Sequence, residues 1–99
     1  MATGKPFSNI TAAMWNRLNR KVNEIAVALG GSHSYTTVSS GDTMTATLFN
    51  QPRNTILGLS GRGSIPSEKS KGDALMAGHF NGANSIKNGL NVAIQAYNA

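Results

Sequence analysis

The chain has 99 residues, of which 39% are apolar and 13% charged, with a formal net charge of +5 at neutral pH. This length allows one domain at most, and the apolar content of the periodic segments is too high for a disordered protein. The absence of cysteine excludes disulfides and thiolate metal sites. Because no apolar run is long enough for a signal peptide or a membrane span, we expect a soluble, cytoplasmically made protein with no membrane partner.

One segment of about ten residues occurs three times along the chain. Residues 41–50 read GDTMTATLFN, residues 72–81 read GDALMAGHFN and residues 8–16 read SNITAAMWN. Each has a small capping residue, an apolar residue, alanine, an aromatic residue and asparagine at the same spacing. Such a period is typical of repeated supersecondary units. The sequence therefore predicts a single, mainly α domain over residues 1–99. We expect three short helical units, at about 8–30, 39–60 and 70–97, joined by extended, Gly/Ser-rich links that could include one or two short edge strands.

The first unit is predicted to be one unbroken helix from about Ser8 to Leu29. Either Ser8 or Thr11 can cap its first turn. Its apolar residues recur at steps of three and four, as on one face of a helix. They are Trp15, Leu18, Val22, Ile25 and Leu29. The glycines after Leu29 end the helix.

The next two units carry a proline and several glycines. Residues 35–38 favour extended backbone, as an edge strand or as a linker lying along a helix. Asp42 and Asp73 are interpreted as helix caps, and Pro52 predicts a kink or break near Gln51. Residues 60–67 are interpreted as a flexible joint, and the order of their glycines does not match a phosphate loop. The third helix is predicted to run nearly to residue 99, weakened by Gly82 and Gly89.

The apolar positions of the three units predict the packing and assembly residues. They are Trp15, Leu18, Val22, Ile25, Phe49, Phe80, Leu90 and Ile94. Trp15, Phe49 and Phe80 hold one repeat position, so we expect their rings to meet in a common core. That core could lie within the chain or across a symmetric oligomer.

Asparagines recur beside the apolar positions at helical spacing. They are Asn16, Asn19 and Asn23 in the first unit, and Asn81, Asn84, Asn88 and Asn91 in the third. Asparagine is a mediocre helix former, and charged residues would solubilise a helix face better. Two interpretations stay open: a ladder of amides pairing between facing helices, or a merely polar flank.

The sequence offers little chemistry for catalysis. His33 and His79 have no second ligand at helical spacing, so no metal is expected. The chain has only four carboxylates, and two of them are assigned to caps. We therefore predict no enzyme activity and no cofactor. Arg17, Arg20 and Lys21 form the one dense basic group, which indicates either a solvated helix face or a contact for nucleic acid.

The repeated phrase Gly-Asp-x-(Met/Leu)-x-Ala-x-x-Phe-Asn resembles one found in structural proteins of tailed-bacteriophage virions, such as tail-fibre, appendage and capsid-decorating proteins. The resemblance covers about two thirds of the chain. The sequence departs from the phage pattern at Ser8, Pro52 and His79. It implies a non-enzymatic virion structural or accessory protein, made in the host cytoplasm. Many copies would assemble on a capsid or tail through helical packing, with other virion proteins and a homo-oligomer as partners. The alternatives are a small basic nucleic-acid-binding protein and a phage adaptor or assembly factor.

Overall fold

The computed structural model of the protein describes residues 11–73 and 77–99, and of Ala77 only the backbone. These residues form four helices: α1 (Ala12–Ala28), α2 (Ala46–Leu57), α3 (Ala77–Phe80) and α4 (Ile86–Asn98). The described ranges contain no strand, so the edge strands allowed by the sequence are not formed there. The prediction of a mainly α fold is confirmed.

Helix α1 begins later than the predicted start at Ser8. Thr11 has extended backbone, and its hydroxyl accepts a hydrogen bond from the Met14 N–H at 3.1 Å. Thr11 is therefore the N-cap, and Ser8 lies outside the described residues. The helix ends at Ala28, where Gly30 adopts a φ of +92° that favours glycine. Leu29 lies beyond that end and is exposed, so the buried apolar face stops at Ala26.

Helix α2 begins at the equivalent position of the repeat. Thr45 is its N-cap and accepts a hydrogen bond from the Leu48 N–H at 3.1 Å, so the interpretation of Asp42 as the cap was wrong. Of the kink or break predicted near Gln51, the break was wrong, because α2 continues through Pro52. Proline removes one helical hydrogen bond. The side chains of Asn50 and Gln51, just before the proline, make hydrogen bonds to the segments on either side of α2.

The break that was expected in the second unit occurs in the third. Helix α3 aligns with the first turn of α2, but the chain bends at residues 81–85 before α4 begins. Ser85 caps α4: its hydroxyl accepts from the Asn88 N–H at 3.1 Å and donates to the Gly82 carbonyl at 2.7 Å. Glycine is a poor helix former and serine prefers to cap, so this segment starts a new helix. The predicted end near residue 99 is confirmed, since α4 ends at Asn98.

The core lies where α1, α2 and α4 contact one another. The ring of Trp15 is stacked on Phe49 at a centroid distance of 6.2 Å and is tilted against Phe80 at 5.7 Å. All three rings are buried, which confirms that the repeated aromatic residues meet within one chain. The three units therefore surround a shared centre, and the third unit lies beside the first.

Residues 60–67, which were interpreted as a flexible joint, pack against α4. The Gly63 N–H donates to the Gly89 carbonyl of α4 at 3.1 Å. A Cβ atom on Gly89 would stand 2.3 Å from Cγ2 of Ile65, and one on Gly63 would stand 2.9 Å from Cγ2 of Val92. The absence of side chains at these glycines lets the segment cross α4 at close range.

Candidate functional site

The repeated asparagine after the aromatic residue holds the segment that leads into the next unit. We call residues 31–44 linker 1 and residues 59–73 linker 2. Asn16 of α1 donates through Nδ2 to the Val38 carbonyl at 2.8 Å, and its Oδ1 accepts from the Val38 N–H at 2.9 Å. One amide therefore satisfies both backbone groups of a single extended residue in linker 1.

Asn50 makes the same pair of contacts one unit later. It donates to the Lys69 carbonyl at 2.7 Å and accepts from the Lys69 N–H at 2.9 Å. Val38 is buried and Lys69 half-buried, yet both present the same two backbone groups. We call this arrangement the asparagine clamp. It recognises backbone and places no demand on the clamped side chain.

Each clamped residue is followed at once by a tight turn of sequence Ser-x-Gly-Asp. In the first turn the Asp42 N–H donates to the Ser39 carbonyl at 3.0 Å, and the Asp42 carboxylate accepts from the Ser39 N–H at 2.8 Å. The second turn, between Ser70 and Asp73, repeats both bonds. Its third residue, Gly72, has a φ of +95°, as Gly41 has +93°, which is the glycine position of a type II turn. The repeated aspartates therefore close turns, and the interpretation of Asp73 as a helix cap depends on residues 74–76, which lie outside the described residues.

His33 fixes the start of linker 1 between α1 and α2. Its Nε2 lies 2.7 Å from Asn19 Oδ1, and its Nδ1 lies 2.7 Å from the Thr55 hydroxyl. Asn19 is fully buried, and its Nδ2 donates to the Trp15 carbonyl, which leaves Oδ1 to accept from Nε2. The imidazole therefore carries its proton on Nε2 and accepts from Thr55 through Nδ1. Burial lowers the pKa of His33 below its ordinary value of 6.5.

The asparagines do not form the ladder that their spacing allowed. Within residues 11–73 and 77–99, no hydrogen bond joins two of these side chains, and those of Asn16 and Asn19 are turned toward linker 1. Asn81 and Asn84 lie in the bend before α4, so the third-unit set does not share one helix face. Asn88 instead donates to the Ala83 carbonyl at 3.0 Å. Asn23 is half-buried and Asn91 is exposed.

The predicted packing residues lie in the core. Seven of the eight are buried: Trp15, Leu18, Val22, Ile25, Phe49, Phe80 and Leu90. Ile94 is half-buried and packs against them. Ile56, an apolar position of the second unit, and Ile86, an option for the third, were not counted among the packing residues, yet both are fully buried. Ile56 lies four residues after Pro52, where a helix break was expected.

The basic group lies on the solvent side of α1. Arg17, Arg20 and Lys21 are all exposed. Their spacing places them on one face of the helix, roughly opposite the buried face that includes Trp15 and Val22. The geometry thus leaves three positive charges together and accessible.

The described residues bring no metal-binding group together. No group of three or more His, Asp or Glu side chains is placed to hold a metal ion in that part of the chain. His79 lies with Nε2 3.4 Å from the Lys69 ammonium, and its pKa is lowered by burial and then by that charge. Across residues 11–73 and 77–99, no helix has both the length and the apolar character needed to cross a bilayer.

Comparison with known proteins, by sequence and by fold, finds no match for the chain: no family model, no curated protein and no solved structure.

Of the site residues, the turns had a sequence signal that could have been found, since serine, glycine and aspartate in this order are typical turn residues. The sequence indicates only one partner of each clamp. The asparagine recurs at a fixed position, but its backbone partner has no characteristic residue type, so it cannot be identified from the sequence.

Proposed function

We propose that the protein is a non-enzymatic structural or accessory component of a tailed-bacteriophage virion, present there in many copies. The observation that carries this proposal is the structural role of each residue of the repeated phrase. In each copy the alanine begins a helix and the aromatic residue enters the shared core, and in the first two copies the asparagine clamps the next linker. The phrase is thus a building element, and it resembles one that recurs in virion proteins.

The modest size of the core supports a role within an assembly. A chain of this length buries roughly 60–65% of its unfolded surface, so contacts with neighbours would add usefully to its stability. Val27, Leu29 and Leu57 are exposed apolar side chains near the ends of α1 and α2. They offer a surface on which a second copy or another virion protein could pack.

The proposal is tested on particles. Phage particles banded on a density gradient, from the host that carries the gene, should contain peptides of this chain in constant ratio to the major capsid protein. The free protein at the top of the gradient serves as the control. Detection of the chain in the lysate but not in the banded particles would contradict a virion role.

The exposed basic face of α1 favours one second candidate, a nucleic-acid-binding protein. Retention on duplex DNA would then fall steeply with added salt, because each phosphate contact releases counterions. Replacing Arg17, Arg20 and Lys21 together by alanine should abolish it. Replacing Lys71 and Lys87, which are exposed elsewhere, is the matched control. For the virion protein we expect weak, sequence-independent retention that each variant reduces only in proportion to the number of charges removed, three in one and two in the other.

A further inference from the structure

The carboxyl-terminal ends of α1, α2 and α4 lie together at one end of the molecule. A cavity of about 250 Å³ opens between the ends of α1 and α2, with Leu29 on one side and Thr55 and Leu59 on the other. The end of α4 lies beside them, because a Cβ atom on Gly61 would stand 2.6 Å from Cβ of Ala96. We call this end the helix-end surface, which comprises the exposed parts of residues 26–32, 55–61 and 94–99.

The helix-end surface carries no charged side chain and is rich in exposed apolar ones. The chain has nine Lys and Arg and four Asp and Glu, and none of them falls in these three ranges. Among the described residues, five large apolar side chains are exposed, and four of the five belong to this surface. They are Val27, Leu29, Leu57 and Tyr97.

Two of these side chains extend the core toward solvent. Leu29 lies four residues after the buried Ile25, and Tyr97 lies four residues after the buried Ala93. Each therefore continues the buried face of its helix beyond the end of the core. Arg62 marks the edge of the surface, where its guanidinium donates to the carbonyls of Leu57 and Gly63.

These properties are those of a protein interface. The centres of interfaces are depleted of charged residues, and buried aromatic side chains contribute much of the binding energy. The cavity is smaller than the ~300–1,000 Å³ of small-molecule sites, and no charged side chain lines it to orient a ligand. It is better suited to an apolar side chain of a partner protein.

The charge of the chain indicates which partner. A second copy carries the same net charge of +5, so two copies approach most easily where neither presents a charged side chain. An acidic partner would gain more from the exposed basic face of α1. We propose that the helix-end surface joins two copies of this chain end to end. In a twofold pair the same patch lies on both sides, so each copy offers its cavity to the apolar side chains beside the cavity of the other.

This inference rests on the proposed function, in which many copies assemble, and it names the partner of the exposed apolar surface. Three helix ends form a small contact beside the ~800 Å² per partner of a standard interface, so we expect a dissociation constant in the micromolar range. Crowding of many copies on one particle would raise their local concentration and favour the pairing.

Sedimentation equilibrium of the purified protein, between about 5 and 500 µM, tests the proposal. We expect a reversible monomer–dimer equilibrium. Leu29→Lys should weaken it about tenfold or more, because the new charge would lose its water at the interface. Tyr97→Lys should do the same from the α4 side. Met14→Lys is the matched control: Met14 is 38% exposed where Leu29 is 41%, but it lies outside the helix-end surface. Its dimer should remain as stable as that of the parent.

Two further readouts make the result specific. Thermal unfolding of each variant checks that the fold is intact. Added salt should not weaken the association, because no ion pair crosses the surface and screening reduces the repulsion between the copies. A monomer at every concentration, equal effects of Leu29→Lys and Met14→Lys, or dissociation by salt would each overturn the inference. A monomer that is nevertheless present in banded particles would overturn the pairing alone, and a dimer absent from particles would support the pairing while contradicting the virion role.

Discussion

Replacing Asn16 with alanine tests whether the clamps stabilise the fold. The change removes two hydrogen bonds, of 2.8 and 2.9 Å, to a residue that is 8% exposed. Each such bond contributes about 0.5–1.5 kcal/mol net, so the pair is worth about 1–3 kcal/mol. Alanine returns up to ~0.7 kcal/mol of helix propensity. The difference is about 0.3–2.3 kcal/mol, and because the Val38 N–H and carbonyl lose their partners in a buried site, we expect the upper part of that range. A fall of about 1–2 kcal/mol in the free energy of unfolding lowers the melting temperature of a domain this small by about 4–16 °C.

Two further variants make the result specific. Asn16→Asp keeps an acceptor for the Val38 N–H but places a second oxygen against the Val38 carbonyl, so it should destabilise the protein at least as much. Asn23→Ala is the matched control, because Asn23 is half-buried on the same helix with no hydrogen bond described for its side chain. Thermal unfolding of the three variants and the parent, at one protein concentration, measures the effect. If Asn16→Ala melts within about 2 °C of Asn23→Ala, the clamp does not stabilise the fold and the reasoning fails.

Three other perturbations address the core, linker 1 and α4. Trp15→Ala should cost about 3–5 kcal/mol because its ring is buried between two others; thermal unfolding should show little folded protein, while Arg17→Ala melts with the parent. Because the folded-state pKa of His33 lies below 6.5, the unfolded state binds protons more readily and stability should fall as the pH drops below about 6.5. Urea unfolding between pH 5 and 8 should show a smaller loss in His33→Gln, and an unchanged pH dependence would contradict this. Gly89→Ala should lower the free energy of unfolding by about 1–3 kcal/mol, because the added methyl group overpacks against Ile65. Gly78→Ala should not, because no atom lies close to a Cβ at that position. Equal melting temperatures for the two glycine variants would refute the close approach of linker 2.

The sequence was sufficient to predict the parts of the fold that depend on side-chain periodicity. The spacing of Trp15, Leu18 and Val22 requires a helix with one buried face, and the structure contains it. The alignment of the three aromatic residues was sufficient to predict that they share a core. These features repeat in residue type, and residue type is what a sequence records.

The positions of the helix caps and of the helix break were harder to predict. Several residues could fill each role, and the sequence does not show which of them does. Asp42 and Thr45 can both cap a helix, and Asp42 instead closes a turn because Gly41 supplies the positive φ before it. At Pro52 the local penalty is real, but tertiary contacts of the preceding residues oppose it. Gly82 has no proline beside it, yet the chain bends there because Ser85 caps a new helix. The outcome in each case depends on partners distant in sequence.

The pH dependence of stability that we expect from His33 could not be predicted from the sequence, for the same reason. Nothing near His33 in the sequence indicates a buried imidazole, because its partners Asn19 and Thr55 lie on separate helices, 14 and 22 residues away. The linker that carries it could equally have been a solvated loop. Only the packing of α1 against α2 encloses it.

A clamp that reads backbone has a consequence for how the unit can be reused. Because Asn16 and Asn50 bind only backbone groups, the clamp itself accepts valine and lysine alike, and the burial of Val38 in the core is a separate requirement. A unit could be exchanged, duplicated or taken from a different chain and still be joined, provided that it brings a short extended leader, a turn and an aromatic residue at the right distance. The same clamp can thus connect different units, and the surface residues outside the clamp and the core are free to vary between them.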